Sequence, residues 1–351
     1  MTVYLALLVV NEFLGWQPVV KLQLHSAGAA SRLAALLLVQ ILPVFSLVAP
    51  CQPGASPPSV RRRSFTTGCQ GTRPVRVLNA LISIAVVLMV SVVSGAARLE
   101  PIPDKLVVLT FDDSKASHYT VVRPLLKKYG FGATFFITEG FTFRTNKEDY
   151  LTWDQIAELH RDGFEIGNHT RDHMGVSKEN LPKLKEQVEA INAQCAAHGI
   201  PAPLSFAYPG NAIDPGALRL LGDLGFRFAR RGGAPEYPYE EGNGVAYEPG
   251  RDHPLLLPSA GDARPFWSLE NLKRAATQAT KGKVAILQFH GTPDLEHPWV
   301  HTPRERFEEY MKYLHDAGFK AIAVRDLAKY VDWRQKPEDP WKIIDQRRSR
   351  M

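Results

Sequence analysis

From Leu106 onward, short apolar runs alternate with longer amphipathic stretches. The runs are rich in β-branched and aromatic residues and predict seven strands: LVVLTF, GATFFI, FEIGN, LSFAY, FRFAR, KVAILQF and FKAIAV. The stretches between them have helical spacing, and five end at a glycine able to close a helix: Gly130, Gly163, Gly199, Gly225 and Gly318. This alternation predicts an α/β fold in which a parallel sheet is covered by helices. About seven or eight such units favour a distorted (β/α)7-8 barrel.

Two parts of this region fall outside the alternation. Residues 232–265 are rich in Gly, Pro and aromatic residues, and they predict a long loop of the kind that is usually functional in a compact domain. Residues 334–351 follow the last unit and are expected to form a C-terminal tail. The folded domain is therefore expected to span residues 99–333.

The first hundred residues have a different pattern. Apolar runs at residues 33–48 and 78–93 are separated by a Pro-, Ser-, Gly- and Arg-rich linker. Arg76 precedes the second run and small residues follow it, which predicts a signal peptide or a membrane anchor over residues 75–98. Residues 1–74 are expected to be an unstructured extension, with translation starting near Val75. The protein is therefore expected to be exported to the periplasm, cell surface or medium, with no membrane contact except through this apolar segment.

The charge of the chain is carried by this front part. The formal net charge is +6, but residues 1–100 hold 8 Lys and Arg against 2 Asp and Glu, whereas the remainder holds 34 of each. A neutral body without a basic patch argues against nucleic acid as a partner. The three cysteines, Cys51, Cys69 and Cys195, match neither a zinc-cluster spacing nor a disulfide framework.

Polar residues with useful chemistry follow three of the predicted strands. LVVLTF runs into Asp112 and Asp113, FEIGN runs into His169 and His173, and KVAILQF runs into His290. The carboxyl ends of parallel strands meet at one rim of a barrel, so these side chains are expected to converge. Taken singly, the aspartates would equally suit a helix cap, and the histidines would suit turns or an exposed face.

Together, the residue types are typical of metal-assisted hydrolysis. One carboxylate and two imidazoles can hold a divalent ion, which lowers the pKa of its water, and a second carboxylate can accept that water's proton. A leaving amine then needs an acid, for which His290 is the candidate.

Three blocks, LTFDDS, IGNHTRDH and ILQFH, resemble the signatures of the polysaccharide deacetylase family, the NodB-like family 4 carbohydrate esterases. The usual forms there are T-F-D-D-G, H-[ST]-x-x-H and L-x-x-H, and the similarity covers roughly residues 106–331. The resemblance implies a distorted barrel that removes N- or O-acetyl groups from an acetylated glycan with a divalent metal, most often zinc. It implies that Asp112 is the catalytic base, that His290 is the acid, and that the metal ligands are Asp113, His169 and His173.

The chain departs from the family pattern at three positions. Ser114 replaces a glycine, and in SFAYPGN, where relatives often have F-R-x-P-Y, Ala207 stands at the place of an arginine that would orient the base. Gly210 stands at the place of the tyrosine. Arg230 or Arg231 is expected to supply the missing cation, unless the two form a solvated basic pair. Tyr208, Pro209, Gly210 and Arg230 are candidate substrate contacts, with the backbone N–H near Gly210 as an oxyanion donor.

Other functions and contacts remain open at this stage. Two histidines and a carboxylate also serve non-haem iron oxygenases, a glycan-binding module without activity would explain the lost arginine, and a related amidase would act on a small cyclic amide. His253, His297 and His301 are in loops near the expected site. Four aromatic residues in irregular segments would suit stacking on sugar rings, although such residues are more often packed plugs: Trp267, Trp299, Tyr237 and Tyr239.

Overall fold

The computed structural model describes residues 98–350, so the predictions for residues 1–74 and for the apolar segment before Arg98 lie outside the described residues. In the described part, eight strands form one parallel sheet: β1 (Leu106–Phe111), β2 (Thr134–Ile137), β3 (Glu165–Asn168), β4 (Ser205–Ala207), β5 (Phe228–Arg230), β6 (Gly261–Asp262), β7 (Ala285–Phe289) and β8 (Lys320–Ile322). Seven of them lie inside the predicted runs. The eighth, β6, lies in residues 232–265, where only a loop was predicted.

The sheet has the order β5-β4-β3-β2-β1-β7-β6. β1 is its centre, because β7 pairs with Val107–Phe111 along one edge while β8 and β2 share the other edge. β8 pairs with the amino half of β1, and β2 pairs with Thr110 and Phe111 at its carboxyl end.

The segment leading into β6 closes the sheet into a ring. Leu257 N donates to Ala229 O of β5 at 2.8 Å, and Leu257 O accepts from Arg231 N at 2.8 Å. Three residues later, Ala260 N donates to Ile286 O of β7 at 2.8 Å. The segment thus fills the place between β5 and β7. The predicted distorted barrel is confirmed.

Seven α-helices accompany these strands in residues 98–350: α1 (Arg123–Tyr129), α2 (Trp153–Arg161), α3 (Leu184–Ala197), α4 (Ala217–Asp223), α5 (Leu269–Ala276), α6 (Arg304–Asp316) and α7 (Pro340–Arg348). α1 continues a π-helical turn, His118–Val122, and α2 begins at Thr152 with a capping box to Gln155. The five glycines predicted to follow helices all have positive φ, from 67° at Gly130 to 96° at Gly163.

The buried apolar residues form two layers around the sheet. Along β1, Leu106 and Val108 belong to a cluster with Phe136 and Ile286 that fills the barrel. The alternate residues, of which Leu109 is one, pack outward with the helices. This alternation follows from the two-residue repeat of a strand, and it leaves the carboxyl ends of the strands as the place where polar side chains can gather.

Residues 334–350 carry more structure than the expected tail. Ile344 of α7 is buried, and the Arg347 guanidinium makes two bonds to the carboxylate of Asp252, at 2.6 and 3.0 Å. The C-terminal segment therefore packs on the barrel. In residues 98–350 no helix combines the length and apolar composition needed to cross a membrane.

Candidate active site

The chain turns sharply at the carboxyl end of β1, where Asp112 and Asp113 are both buried. Asp113 and Ser114 have φ values of 72° and 55°, in the left-handed region that glycine adopts most easily. Ser114 stabilises the turn, since its Oγ donates to Thr138 O at 2.8 Å and accepts from Thr138 N at 2.9 Å. The turn directs the two neighbouring carboxylates to different partners.

Asp113 faces the two histidines that follow β3. Its Oδ1 lies 3.4 Å from His169 Nε2 and 3.2 Å from His173 Nε2, and the three ligand atoms lie within 4.8 Å of one another. Donors bonded at 2.0–2.1 Å to one tetrahedral ion would stand about 3.3 Å apart. The spacing therefore fits one cation held by Asp113, His169 and His173.

The surroundings prepare these atoms for a ligand. His169 Nδ1 is 2.8 Å from Ala207 O, so a proton on Nδ1 donates to the carbonyl and leaves the Nε2 lone pair directed at Asp113. His173 N donates to Thr138 Oγ1 at 3.0 Å. Asp113 Oδ1 is buried and has no hydrogen-bond donor among residues 98–350, which is the state expected of a metal-binding atom.

Electrostatics keeps this carboxylate ionised. Burial raises the pKa of Asp113, but interaction with His169 and His173 and the nearby charge of His290 bring the pKa well below its ordinary value. An ionised carboxylate beside imidazoles is the form that binds a cation.

Asp112 instead forms a buried ion pair with Arg230. Its Oδ2 accepts from Arg230 Nη2 at 2.6 Å and from Gln288 Nε2 at 3.3 Å, whereas its Oδ1 is buried and has no partner in the part of the chain that the structure describes. Arg230 is completely buried, as is Arg231, which pairs instead with Glu236 through bonds of 2.7 and 2.6 Å. Arg230 thus contacts Asp112, as expected for the cation that replaces an arginine at position 207. Because both Arg230 and Arg231 are buried, they are not a solvated pair.

His290, at the end of β7, lies between two carboxylates. Its Nε2 is 3.9 Å from Asp112 Oδ2, and its Nδ1 is 3.6 Å from Asp262 Oδ1. Asp262 is buried and pairs with Arg264 at 2.7 Å. Burial raises the pKa of Asp262, while the charges of His290, Arg264 and Arg230 oppose that rise.

Asp262 was missed in the sequence. It is the last residue of the two-residue strand β6, which is too short to show a periodic pattern. The sequence offered one clue: Asp262 lies two residues before Arg264, within the stretch of residues 232–265 that was already predicted to be functional.

The remaining sequence candidates lie near β4. The Tyr208 side chain is fully buried against Phe206, and its hydroxyl donates to Leu255 O at 3.0 Å, so it belongs to the core. Pro209 is also buried, whereas Gly210 is exposed with φ 58°. The stretch therefore presents the backbone at Gly210, rather than the Tyr208 ring, to solvent.

Comparison with known proteins places this arrangement in context. A peptidoglycan-N-acetylglucosamine deacetylase of Bacillus cereus is 30% identical over 128 residues, which are 36% of this chain and 56% of that protein. A poly-beta-1,6-N-acetyl-D-glucosamine N-deacetylase of Staphylococcus aureus is 34% identical over 91 residues, 25% of this chain and 31% of that one. The chain thus spans about half, or less, of the length of these curated relatives.

A solved family 4 carbohydrate esterase of Bacillus subtilis is similar at 18% identity and a TM-score of 0.44, over 72% of this chain and 88% of that one. Residues 100–229 match the family model described as polysaccharide deacetylase, a range that includes the aspartate pair and both histidines of the candidate metal centre. Residues 100–229 are therefore similar to the polysaccharide deacetylase family.

Proposed function

We propose that this protein is an exported, metal-dependent hydrolase that removes N- or O-acetyl groups from a carbohydrate polymer. One observation carries the proposal. Asp113 shares a ligand set with His169 and His173, and it is adjacent in the chain to Asp112, whose buried Oδ1 has no partner among the described residues. His290 stands 3.9 Å from the Asp112 carboxylate. The arrangement suits a metal site, a base and an acid at one end of the barrel.

The donor set fits zinc, which accepts one carboxylate and two imidazoles and leaves a position open for substrate. A zinc ion there would polarise the acetyl carbonyl and acidify a water molecule. Asp113, His169 and His173 would hold the ion, and the Ala207 carbonyl would keep His169 in the tautomer that can bind it.

Asp112 is suited to receive a proton from the attacking water. Its Oδ2 is occupied by Arg230 and Gln288, so only Oδ1 is free to accept. The bond from Arg230 holds the carboxylate in one orientation, and the buried guanidinium offsets its charge. Arg230 is therefore a positioning residue for the base.

His290 is suited to donate a proton to the leaving nitrogen or oxygen. Its Nδ1 lies 3.6 Å from Asp262 Oδ1, and its Nε2 lies 3.9 Å from Asp112 Oδ2, so Nε2 is on the side of the ring that faces the proposed base. In the reaction, the bond from the acetyl carbon to the sugar nitrogen or oxygen breaks. The water oxygen joins the acetyl carbon, and one proton of the water passes to Asp112. His290 donates a different proton to the leaving nitrogen or oxygen.

The alternatives are weaker on structural grounds. A non-catalytic glycan-binding module would explain a lost arginine, but Arg230 fills its role at the base. The parallel barrel differs from the antiparallel sheets on which two-histidine, one-carboxylate iron oxygenases normally occur. An amidase acting on a small cyclic amide shares the chemistry and differs only in its substrate.

The proposal is tested by acetate release from four polymers: chitin oligomers, peptidoglycan, poly-N-acetylglucosamine and acetylated xylan. Zinc-loaded protein should release acetate from at least one, and chelator treatment should abolish the release until zinc is restored. A small cyclic imide serves as the comparison substrate. Hydrolysis of the imide without acetate release from any polymer would replace the proposed activity with the amidase.

A further inference from the structure

A cavity of about 440 Å³ opens at the end of the barrel opposite the candidate metal centre. Arg227 in its wall directly precedes β5, and its backbone N donates to Leu204 O, just before β4, at 2.9 Å. His253, also in the wall, precedes the Leu257 that pairs with β5. These positions are at the amino ends of strands whose carboxyl ends face the catalytic rim. The cavity is therefore separate from the site of the proposed reaction.

Two positive charges in the cavity wall lack a carboxylate partner. The wall contains three basic residues and one acidic residue: Arg219, Arg227, Lys336 and Asp223. Arg219 pairs with Asp223 at 3.8 Å, which leaves Arg227 and Lys336 without a carboxylate partner among residues 98–350. Two unpaired cations that share one cavity attract an anion into it.

The first of these cations is held by an aromatic ring. Arg227 Cζ lies 5.7 Å from the centroid of the Trp333 ring, within the range of cation–π attraction. Trp333 in turn packs against the apolar cluster inside the barrel. Contact with a ring uses none of the N–H groups of the guanidinium, so these donors stay available. Their planar arrangement matches the oxygens of a carboxylate or a phosphate.

A buried hydrogen-bond donor completes the cavity wall. His253 is only 6% exposed, and its Nδ1 accepts from Leu255 N at 3.0 Å. The neutral ring therefore carries its proton on Nε2, which has no hydrogen-bond partner within the described part of the chain. Burial lowers the pKa of His253 to about 4, and the charge of Lys336 acts in the same direction. The ring is thus a neutral donor close to the second unpaired cation.

We propose that this cavity binds the phosphate group of a phosphate monoester, with Arg227 and Lys336 supplying the charge and His253 Nε2 donating a hydrogen bond. The two unpaired positive charges match a monoester, whose charge at pH 7 is about −1.5 to −2, better than the single charge of a carboxylate. The cavity has more room than a phosphate group needs. Phe226 and Leu255, both buried, give it an apolar wall for the rest of the ligand. Binding here does not depend on the proposed acetyl hydrolysis.

The test measures binding of radiolabelled glycerol 3-phosphate to the full-length, zinc-loaded protein by equilibrium dialysis. Arg227→Gln should weaken binding about tenfold, because a charge-assisted hydrogen bond is lost. Lys336→Gln, at an exposed position, should weaken it about threefold without a risk to folding. Arg334→Gln is the matched control. The Arg334 guanidinium lies 4.7 Å from the same Trp333 ring but is outside the cavity wall, so this variant should bind like the parent.

Competing ligands test the phosphate chemistry and its source. Unlabelled glycerol 3-phosphate should displace the label, whereas glycerate, which has a carboxylate, should need a concentration about tenfold higher. Glycerol, which has no anionic group, should not displace it. Vesicles of phosphatidylcholine with phosphatidate present the same monoester on a lipid. Displacement by these vesicles would support the site with a lipid headgroup as its ligand, and its absence would support the site with a soluble monoester.

Three results would refute the site. The first is no binding of glycerol 3-phosphate by the parent protein, and the second is equal affinity in the Arg227→Gln and Arg334→Gln proteins. The third is displacement by glycerate as effective as that by glycerol 3-phosphate. Repeating the dialysis after chelator treatment separates this cavity from the metal centre. Binding that disappears with the metal and is insensitive to Arg227→Gln would assign the phosphate to the metal centre and overturn the proposal.

Discussion

Two adjacent aspartates of the same chemistry have different partners because the backbone turns between them. Asp113 lies against two imidazoles, while Asp112 is bound by Arg230 and retains one free oxygen. In the proposed function, the environment rather than the residue type therefore separates the metal ligand Asp113 from the base Asp112. The same substitution at the two neighbouring positions should therefore differ in its effect on metal content.

Asp112→Asn should retain the metal and lose turnover, whereas Asp113→Asn should lose much of both. General-base assistance is worth about 10² to 10⁴ in rate, so the Asp112→Asn defect should appear in kcat far more than in KM. Metal content by atomic emission and acetate release by the same preparations measure the two effects. Loss of zinc from Asp112→Asn would contradict this assignment.

Arg230→Gln and Arg231→Gln form a matched pair, since both arginines are buried and each pairs with one carboxylate at 2.6 Å. Removing one partner of a buried ion pair leaves the other uncompensated, so each variant should lose about 3–5 kcal/mol of unfolding free energy. Only Arg230→Gln should also lower kcat, by about 10²-fold, because only Arg230 orients Asp112. Denaturant titration and kinetics at a temperature where both variants are folded check this, and an equal loss of kcat in both would contradict it.

Residues at the ends of regular strands could be predicted to lie together, and those elsewhere could not. Asp112, His169 and His290 each directly follow a predicted strand, and parallel strands bring such positions to one rim. The choice between Arg230 and Arg231 depends on the direction of two consecutive side chains on β5, which alternation alone leaves undecided. Tyr208 resembled a substrate contact, but its side chain points into the core.

At the scale of elements, the seven strands that coincide with short apolar or aromatic runs between helical stretches were predictable. The segment that closes the barrel between β5 and β7 was not, because it pairs with β5 only through Leu257 and with β7 only through Gly261 and Asp262. Such a segment has no repeat to detect. It nevertheless delivers Asp262 to His290, so the irregular part of the barrel completes the site.

The helix α3 offers a test of packing by thiol chemistry. Cys195 is buried in the core that α3 forms with the barrel, and burial raises the pKa of its thiol to about 12. At pH 8 the native thiol should therefore remain protonated and unmodified by iodoacetamide, and it should react once the protein is unfolded. Peptide mass spectrometry identifies modification of Cys195 separately from Cys51 and Cys69. Rapid labelling in the native protein would show that α3 is not packed as described.

At the scale of the whole molecule, two buried histidines outside the proposed machinery couple folding to pH. His118 lies beneath the rim, where its Nε2 is 3.2 Å from His290 O, and burial lowers its pKa to about 4 although that contact opposes the shift. His253 accepts a bond from Leu255 N at 3.0 Å, and burial, with a smaller effect of Lys336, lowers its pKa to about 4. Both are therefore neutral in the folded protein at pH values where the unfolded chain is protonated.

Between pH 6.5 and about 4 the unfolded chain binds more protons than the folded protein, so stability must fall as the pH is lowered through this window. Each histidine contributes about 3 kcal/mol, present in full above pH 6.5 and lost by about pH 4. Urea titrations of chelator-treated protein should show this slope, and His253→Gln should remove about half of it. His315→Gln, at a 54% exposed side chain, is the control and should leave the slope unchanged. A free energy of unfolding that stays level from pH 6.5 to 4.5 would mean that neither ring is held neutral by its burial.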